Sequence, residues 1–150
     1  MPVGEICNRD VIIVRREDTI FAAAKLMRQN HVGDVVVVDE RGGSRLPVGI
    51  VTDRDLVVEI MATELDQKVI TVGDIMIEEL VTVKESLGVF EAIQYMRAKA
   101  VRRLPVVDEQ GALVGILTLD DLLQLLSEEL AAIARLITSQ QQKETQDRRS

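Results

Sequence analysis

Two short stretches carry side chains suited to holding a polar ligand: Gly49-Ile50-Val51-Thr52-Asp53-Arg54-Asp55 and Gly115-Ile116-Leu117-Thr118-Leu119-Asp120-Asp121. In each, a Thr is followed three residues later by an Asp, at what reads as the passage from a strand into a helix. A carboxylate at such a place accepts two hydrogen bonds well, and a ribose diol offers two donors. The Thr hydroxyl and the backbone N–H groups beside it stand near the positive end of the helix, where phosphate is favoured. The same Thr and Asp also serve as caps for the orphan N–H groups of a helix start. Spacing alone does not separate the two roles. A further feature is Arg102-Arg103-Leu104-Pro105, two arginines entering an apolar strand. The planar guanidinium fork suits phosphate; the alternative is a solvated pair balancing acidic neighbours.

The elements that must position these residues occur twice. At an offset of 69, Val3-Gly4-Glu5-Ile6 falls on Val72-Gly73-Asp74-Ile75, Met27-Arg28 on Met96-Arg97, and Val37-Val38-Asp39-Glu40 on Val106-Val107-Asp108-Glu109. Removing three residues around Gly43-Ser44-Arg45 shifts the offset to 66 and brings Val48-Gly49-Ile50-Val51-Thr52 onto Val114-Gly115-Ile116-Leu117-Thr118. The indel lies in a turn, where extra residues cost little free energy. An internal repeat of this kind decides the architecture. Each copy predicts a short strand (Val11 to Val14, Leu80 to Val83) and an amphipathic helix (Ile20, Ala23, Ala24, Met27; Val89, Ile93, Met96). Two valine-rich strands follow, Val35 to Val38 and Val48 to Val51 in the first copy, Leu104 to Val107 and Leu113 to Leu117 in the second. Their unbroken apolar character fits strands covered on both faces. A second helix begins near Arg54 or Asp120. The fold class is α/β (α+β), two β-α-β-β-α repeats; neither is large enough for a comfortable core alone, so they are expected to pack on each other.

Composition narrows the function. The chain has 150 residues, 47% apolar, with a formal charge of −7. An acidic chain lacks the basic surface that a nucleic-acid partner needs. No apolar run approaches the roughly 18 residues of a membrane span, and the N-terminus carries no basic segment leading into an apolar one, so a soluble, cytoplasmic protein is expected. Cys7 cannot form an internal disulfide and reads as a packed thiol; with a single His, His31, zinc sites of the usual kind are excluded. His31 reads as a surface or helix-end residue, with a ligand contact as the alternative. No nucleophile, metal cluster or second histidine accompanies Asp55 or Asp121, which argues against an enzyme.

The order Gly73-Asp74-Ile75-Met76, Val81-Thr82-Val83, Arg102-Arg103-Leu104-Pro105-Val106-Val107-Asp108, then Gly115-Ile116-Leu117-Thr118 with Asp121 resembles the cystathionine-β-synthase (CBS) domain. The blocks occur in order, twice, so the chain looks like a tandem pair, or Bateman module. The boundaries are 3–62 for the first repeat, 63–71 for a polar linker, 72–126 for the second repeat, 127–138 for a helical extension and 139–150 for a flexible, aperiodic tail. The resemblance implies repeats packed through their sheets about a pseudo-twofold axis, with two clefts that in many members bind AMP, ADP, ATP, S-adenosylmethionine or NAD. Carried onto this chain, one cleft uses Thr52, Arg54 and Asp55, with Ile50 and Val81 against adenine and Arg103 near phosphate. The other uses Thr118 and Asp121, with Ile116, Ile12 and Arg102.

The copies differ where phosphate would sit. Gly33-Asp34 stands in the first where Arg102-Arg103 stands in the second, and Asp120 replaces Arg54. On this reading Arg54 and Arg103 favour phosphate in the first cleft, while Asp120 and Asp34 oppose it in the second. Leu123, Leu126, Leu130, Ile133 and Ile137 keep the spacing of an a/d seam. Together these features predict a regulatory module, not an enzyme, that binds an adenine nucleotide, forms a homodimer and acts on a protein partner. The rival is a dimerisation scaffold whose clefts hold no ligand.

Overall fold

The computed structural model describes residues 1–77 and 79–149. Two compact units are present: Met1–Leu117, which holds both sheets, and a second that begins at Thr118. The final residue of the tail expected at 139–150 lies outside the described residues.

In the first repeat, β1 (Ile13–Val14) pairs in parallel with β2 (Asp34–Arg41), which pairs antiparallel with β3 (Ser44–Thr52), in the order β1-β2-β3. The β2–β3 hairpin closes through Gly42 and Gly43, at φ +58° and +80°. Two successive positive φ values suit the twist of a two-residue hairpin, and glycine adopts them without a Cβ clash. For this reason both strands outrun the expected spans, and Ser44 and Arg45, read from the sequence as turn, lie in β3 opposite Arg41 and Glu40. The second repeat forms its own sheet, β4 (Val83–Lys84), β5 (Arg103–Val107) and β6 (Leu113–Thr118), with β4 and β5 parallel. Its turn is held differently: Asp108 Oδ1 accepts from the N–H groups of Gln110 and Ala112, both at 2.9 Å. The first strand of each repeat is shorter than expected, although Ile12 still accepts from the Val36 N–H at 2.9 Å.

Helices α1 (Ile20–Asn30) and, after the short α2 (Asp53–Asp55) and α3 (Val72–Ile75), α4 (Val89–Lys99) occupy equivalent places in the two repeats. Thr19 caps α1 by accepting from the Ala22 N–H at 3.1 Å. Ile20, Ala23 and Met27 of α1 are buried, as are their counterparts Val89, Ala92 and Met96 of α4. Both helices end in a left-handed residue that is not glycine, His31 at φ +53° and Ala100 at φ +54°. His31 is thus a helix-end residue.

The two repeats hold each other by exchanged backbone contacts. The N–H groups of Val3 and Gly4 donate to the carbonyls of Leu87 (2.8 Å) and Glu85 (3.0 Å) of the second repeat. Val72 and Gly73 donate to Asp18 (2.8 Å) and Arg16 (3.0 Å) of the first. The sequence offset of 69 relates all four pairs. Between the sheets, Val36 and Val38 of β2 and Ile116 of β6 form one buried cluster, joined by Ile13, Ile50 and Leu113. The repeats are therefore packed sheet to sheet, as the valine-rich strands require.

The second unit is dominated by α5 (Leu119–Arg149). Where the sequence predicts an aperiodic tail from residue 139, the helix continues to Arg149, and the side chains of residues 139–148 are exposed. Aperiodicity removes a buried face but not helix propensity: Gln, Lys, Glu and Arg dominate this stretch, and all are good helix formers.

Candidate nucleotide-binding site

Thr52 closes β3 and opens α2. Its N–H donates to Asp55 Oδ2 (2.9 Å), and its Oγ1 accepts from the Asp55 N–H (3.2 Å). Thr118 and Asp121 repeat the geometry at the start of α5, at 3.0 and 3.2 Å. Each is a reciprocal capping box, which satisfies two backbone donors at once. The box also orients the carboxylate. Asp55 Oδ2 is engaged, while Oδ1 has no hydrogen-bond partner among the described residues and remains available as an acceptor. Thr52, Asp55, Thr118 and Asp121 are all half-buried, so a ligand can reach them.

Around the first box the structure gathers a charged group from the other repeat. Arg103, which opens β5, donates from Nε to Asp34 Oδ2 at 2.9 Å. Asp34 lies directly opposite Thr52 in the β2–β3 register. The neighbouring Gly33 accepts from the Asp53 N–H at 2.9 Å, and a Cβ there would stand 3.1 Å from Asp53 Oδ2 and 3.7 Å from a terminal nitrogen of Arg103. Arg103 thus approaches the first junction from across the pair. The charge argument drawn from sequence needs correction, however: Arg103 and Asp34, placed in separate clefts, are partners of each other. Their side chains are 34% and 18% exposed, so the pair is partly shielded from water and largely cancels its own field. Arg54 and Arg102 are exposed.

Of the apolar candidates, Ile50 and Ile116, assigned to different clefts, meet in the same inter-sheet cluster, and Ile116 is only 5% exposed. Ile12 packs instead on the core of the first repeat, and its counterpart Val81 is half-buried. Sequence reasoning set Gly33-Asp34 against the second cleft, whereas the strand register places Asp34 opposite Thr52 of the first. It overlooked two sulfur contacts. A Cβ at Gly49 would lie 2.7 Å from Met76 Sδ, and one at Gly115 would lie 2.6 Å from Cys7 Sγ and 2.9 Å from the Asn8 carbonyl oxygen. The signal was present, because the offset of 69 also sets Cys7 on Met76. A cavity of about 410 Å³ lies beside Met76, lined also by Arg16, Pro47, Val48 and Leu80; none of the nucleotide candidates lines it. Among the described residues no group of His, Cys, Asp or Glu is placed to hold a metal ion, and no helix is long and apolar enough to cross a membrane.

The CBS domain profile matches residues 3–62 and 72–128. The chain belongs to the CBS domain family. Among its relatives, the uncharacterized protein MK0525 of Methanopyrus kandleri is 40% identical over 123 residues, 82% of this chain, and the match spans 61% of that protein's length. Hypoxic response protein 1 of Mycobacterium tuberculosis is 33% identical over 83% of this chain and 84% of its own. The crystal structure of that protein, solved with two coordinated zinc ions, superposes with a TM-score of 0.72 at 31% identity, covering 83% of this chain and 98% of the other. The CBS domain pair of protein MJ0100, solved in complex with 5-methylthioadenosine and S-adenosyl-L-methionine, superposes with a TM-score of 0.73 at 27% identity over 86% and 98% of the two chains. These CBS pairs share the fold of two small sheets described above.

Proposed function

We propose that this CBS pair is a regulatory module that binds an adenine nucleotide and signals to a protein partner through a change of conformation, acting in the cytoplasm as a homodimer and without catalysis. The first binding position uses Asp55 Oδ1 as ribose acceptor, the Thr52 hydroxyl and Arg54 toward phosphate, Ile50 and Val81 against the base, and Arg103 as the phosphate cation. The second is centred on Thr118 and Asp121. AMP, ADP, ATP and NAD-like ligands all offer the diol and phosphate that these groups require. The observation that supports the reading best is the repeated box: in both repeats the same Thr fixes the same Asp at the end of a strand and leaves the Thr52–Asp55 pair with one carboxylate oxygen unused. That a related pair holds two adenosine-containing ligands supports the ligand class.

A second reading, a scaffold with no ligand, is favoured by one observation. Asp74 accepts from the Thr71 N–H at 2.9 Å at the start of α3, where no nucleotide is expected. Capping alone accounts for that Thr-x-x-Asp. Thermal unfolding with a panel of AMP, ADP, ATP and NAD separates the readings. A ligand at a hundredfold excess over its Kd stabilises the folded state by about 2.7 kcal/mol, a rise in Tm of roughly 5–10 °C for a chain of this size. Native mass spectrometry of the purified protein identifies any copurified nucleotide. No Tm shift with any of the panel, and no bound mass, would leave the scaffold.

A further inference from the structure

Helix α5 exposes a continuous apolar stripe made of Leu119, Leu123, Leu126, Leu130, Ile133 and Ile137. The successive gaps of 4, 3, 4, 3 and 4 residues are those of a two-position heptad seam. Exposure is high along it: 57% at Leu123, 68% at Leu130 and 56% at Ile133. Water disfavours such a stripe, and a long helix with no tertiary cover is marginal by itself. We propose that the stripe is covered by the α5 of a second copy, paired antiparallel. This rests on the homodimer part of the proposed function and adds the surface, the orientation and the register.

Charge chooses the occupant and its direction. From Leu119 to Ala134 the helix carries Asp120, Asp121, Glu128 and Glu129 and no Lys or Arg. From Arg135 to Arg149 it carries Arg135, Lys143, Arg148 and Arg149 against Glu144 and Asp147. A parallel, in-register pair sets acidic half beside acidic half and basic half beside basic half. An antiparallel pair sets acid along base and also opposes the two helix dipoles. The helix is therefore complementary to its own reverse.

The same argument sets the register. With Leu130 level with the partner's Ile133, and Leu126 level with the partner's Ile137, Glu129, which flanks the seam next to Leu130, lies beside the partner's Leu136. Slipping one heptad, so that Leu126 meets the partner's Leu130, keeps an apolar seam but brings Glu129 beside the partner's Glu129. Hydrophobicity permits both registers, and charge favours the first.

Sedimentation of the full chain and of a Leu130→Asp/Ile133→Asp variant is the first test. The expected result is a wild-type species of twice 16.7 kDa and a variant of 16.7 kDa that still unfolds cooperatively. A wild type found only at 16.7 kDa overturns both the homodimer and this inference. A variant that stays dimeric leaves the homodimer standing on another surface and overturns the inference alone. Orientation is read by oxidative cross-linking in a Cys7→Ala background. A mixture of Leu126→Cys and Ile137→Cys chains is expected to cross-link while neither does so alone. Cross-linking of each variant by itself, with none added on mixing, overturns the antiparallel pairing.

Discussion

At the residue scale, the ion pair between Arg103 and Asp34 decides how much positive charge the first binding position offers. A partly exposed pair of this kind is worth about 0.5–1 kcal/mol, so a phosphate must compete with Asp34 for the guanidinium. Replacing Asp34→Asn releases Arg103 and is expected to tighten AMP binding by roughly two- to fivefold, with no gain for adenosine, as measured by calorimetric titration. An equal gain for adenosine would show that Arg103 does not meet the phosphate. Asp55→Ala is expected to abolish the tightest nucleotide binding and Asp121→Ala to spare it, because Arg54 stands beside Asp55 while Asp120 stands beside Asp121. The reverse pattern would exchange the two positions. The glycines supply a test that needs no ligand. A Cβ at Gly115 meets the Asn8 backbone at 2.9 Å as well as Cys7, whereas the three atoms nearest a Cβ at Gly49 all belong to the side chain of Met76. Backbone yields less readily than a methionine side chain, so Gly115→Ala is expected to cost about 1–3 kcal/mol in urea unfolding, and Gly49→Ala less.

At the element scale, α1 and α4 both end on a residue held left-handed with a Cβ attached. The strain at such a position is about 1–2 kcal/mol, and glycine removes most of it. Ala100→Gly is therefore expected to stabilise the chain by roughly 0.5–1 kcal/mol in the same unfolding assay; a destabilised variant would mean that Ala100 contributes packing that outweighs its strain. The end of α5 makes the opposite point. From residue 139 to residue 148 its side chains are exposed, so the helix there is propensity without burial. Removing residues 139–150 is expected to leave Tm nearly unchanged, and a large loss would show that this segment is covered.

At the scale of the whole molecule, stability is tied to pH through carboxylates that the fold holds ionised. Arg16 donates to both oxygens of Asp39 (2.9 and 3.1 Å) and lowers its pKa, and the Thr71 backbone and side chain lower that of Asp74. A carboxyl whose folded pKa lies below its unfolded value stabilises the protein above the unfolded pKa. That contribution fades as pH falls through the folded pKa. Stability measured by urea unfolding is thus expected to be level from pH 7 to about 5 for these two groups and to decline below about pH 4. Asp74→Asn is expected to weaken the decline.

The duplication, the strand-helix order, the apolar strands and the Thr-x-x-Asp boxes were legible in the chain, because each is a local pattern: periodicity, spacing and an offset between two copies. The seam of α5 was legible for the same reason. What needed the tertiary structure was every relation between residues distant in sequence. Register placed Asp34 opposite Thr52 and gave Arg103 a partner, which removes part of the charge contrast read from one dimension. Sheet packing drew Ile50 and Ile116 into one cluster and sent Ile12 to the other face. Exchange of the segments at Val3 and Val72 set a sulfur against each repeated glycine. Composition and period specify which faces are apolar, but the choice among faces is made by a cooperative packing in which each strand's position depends on all the others.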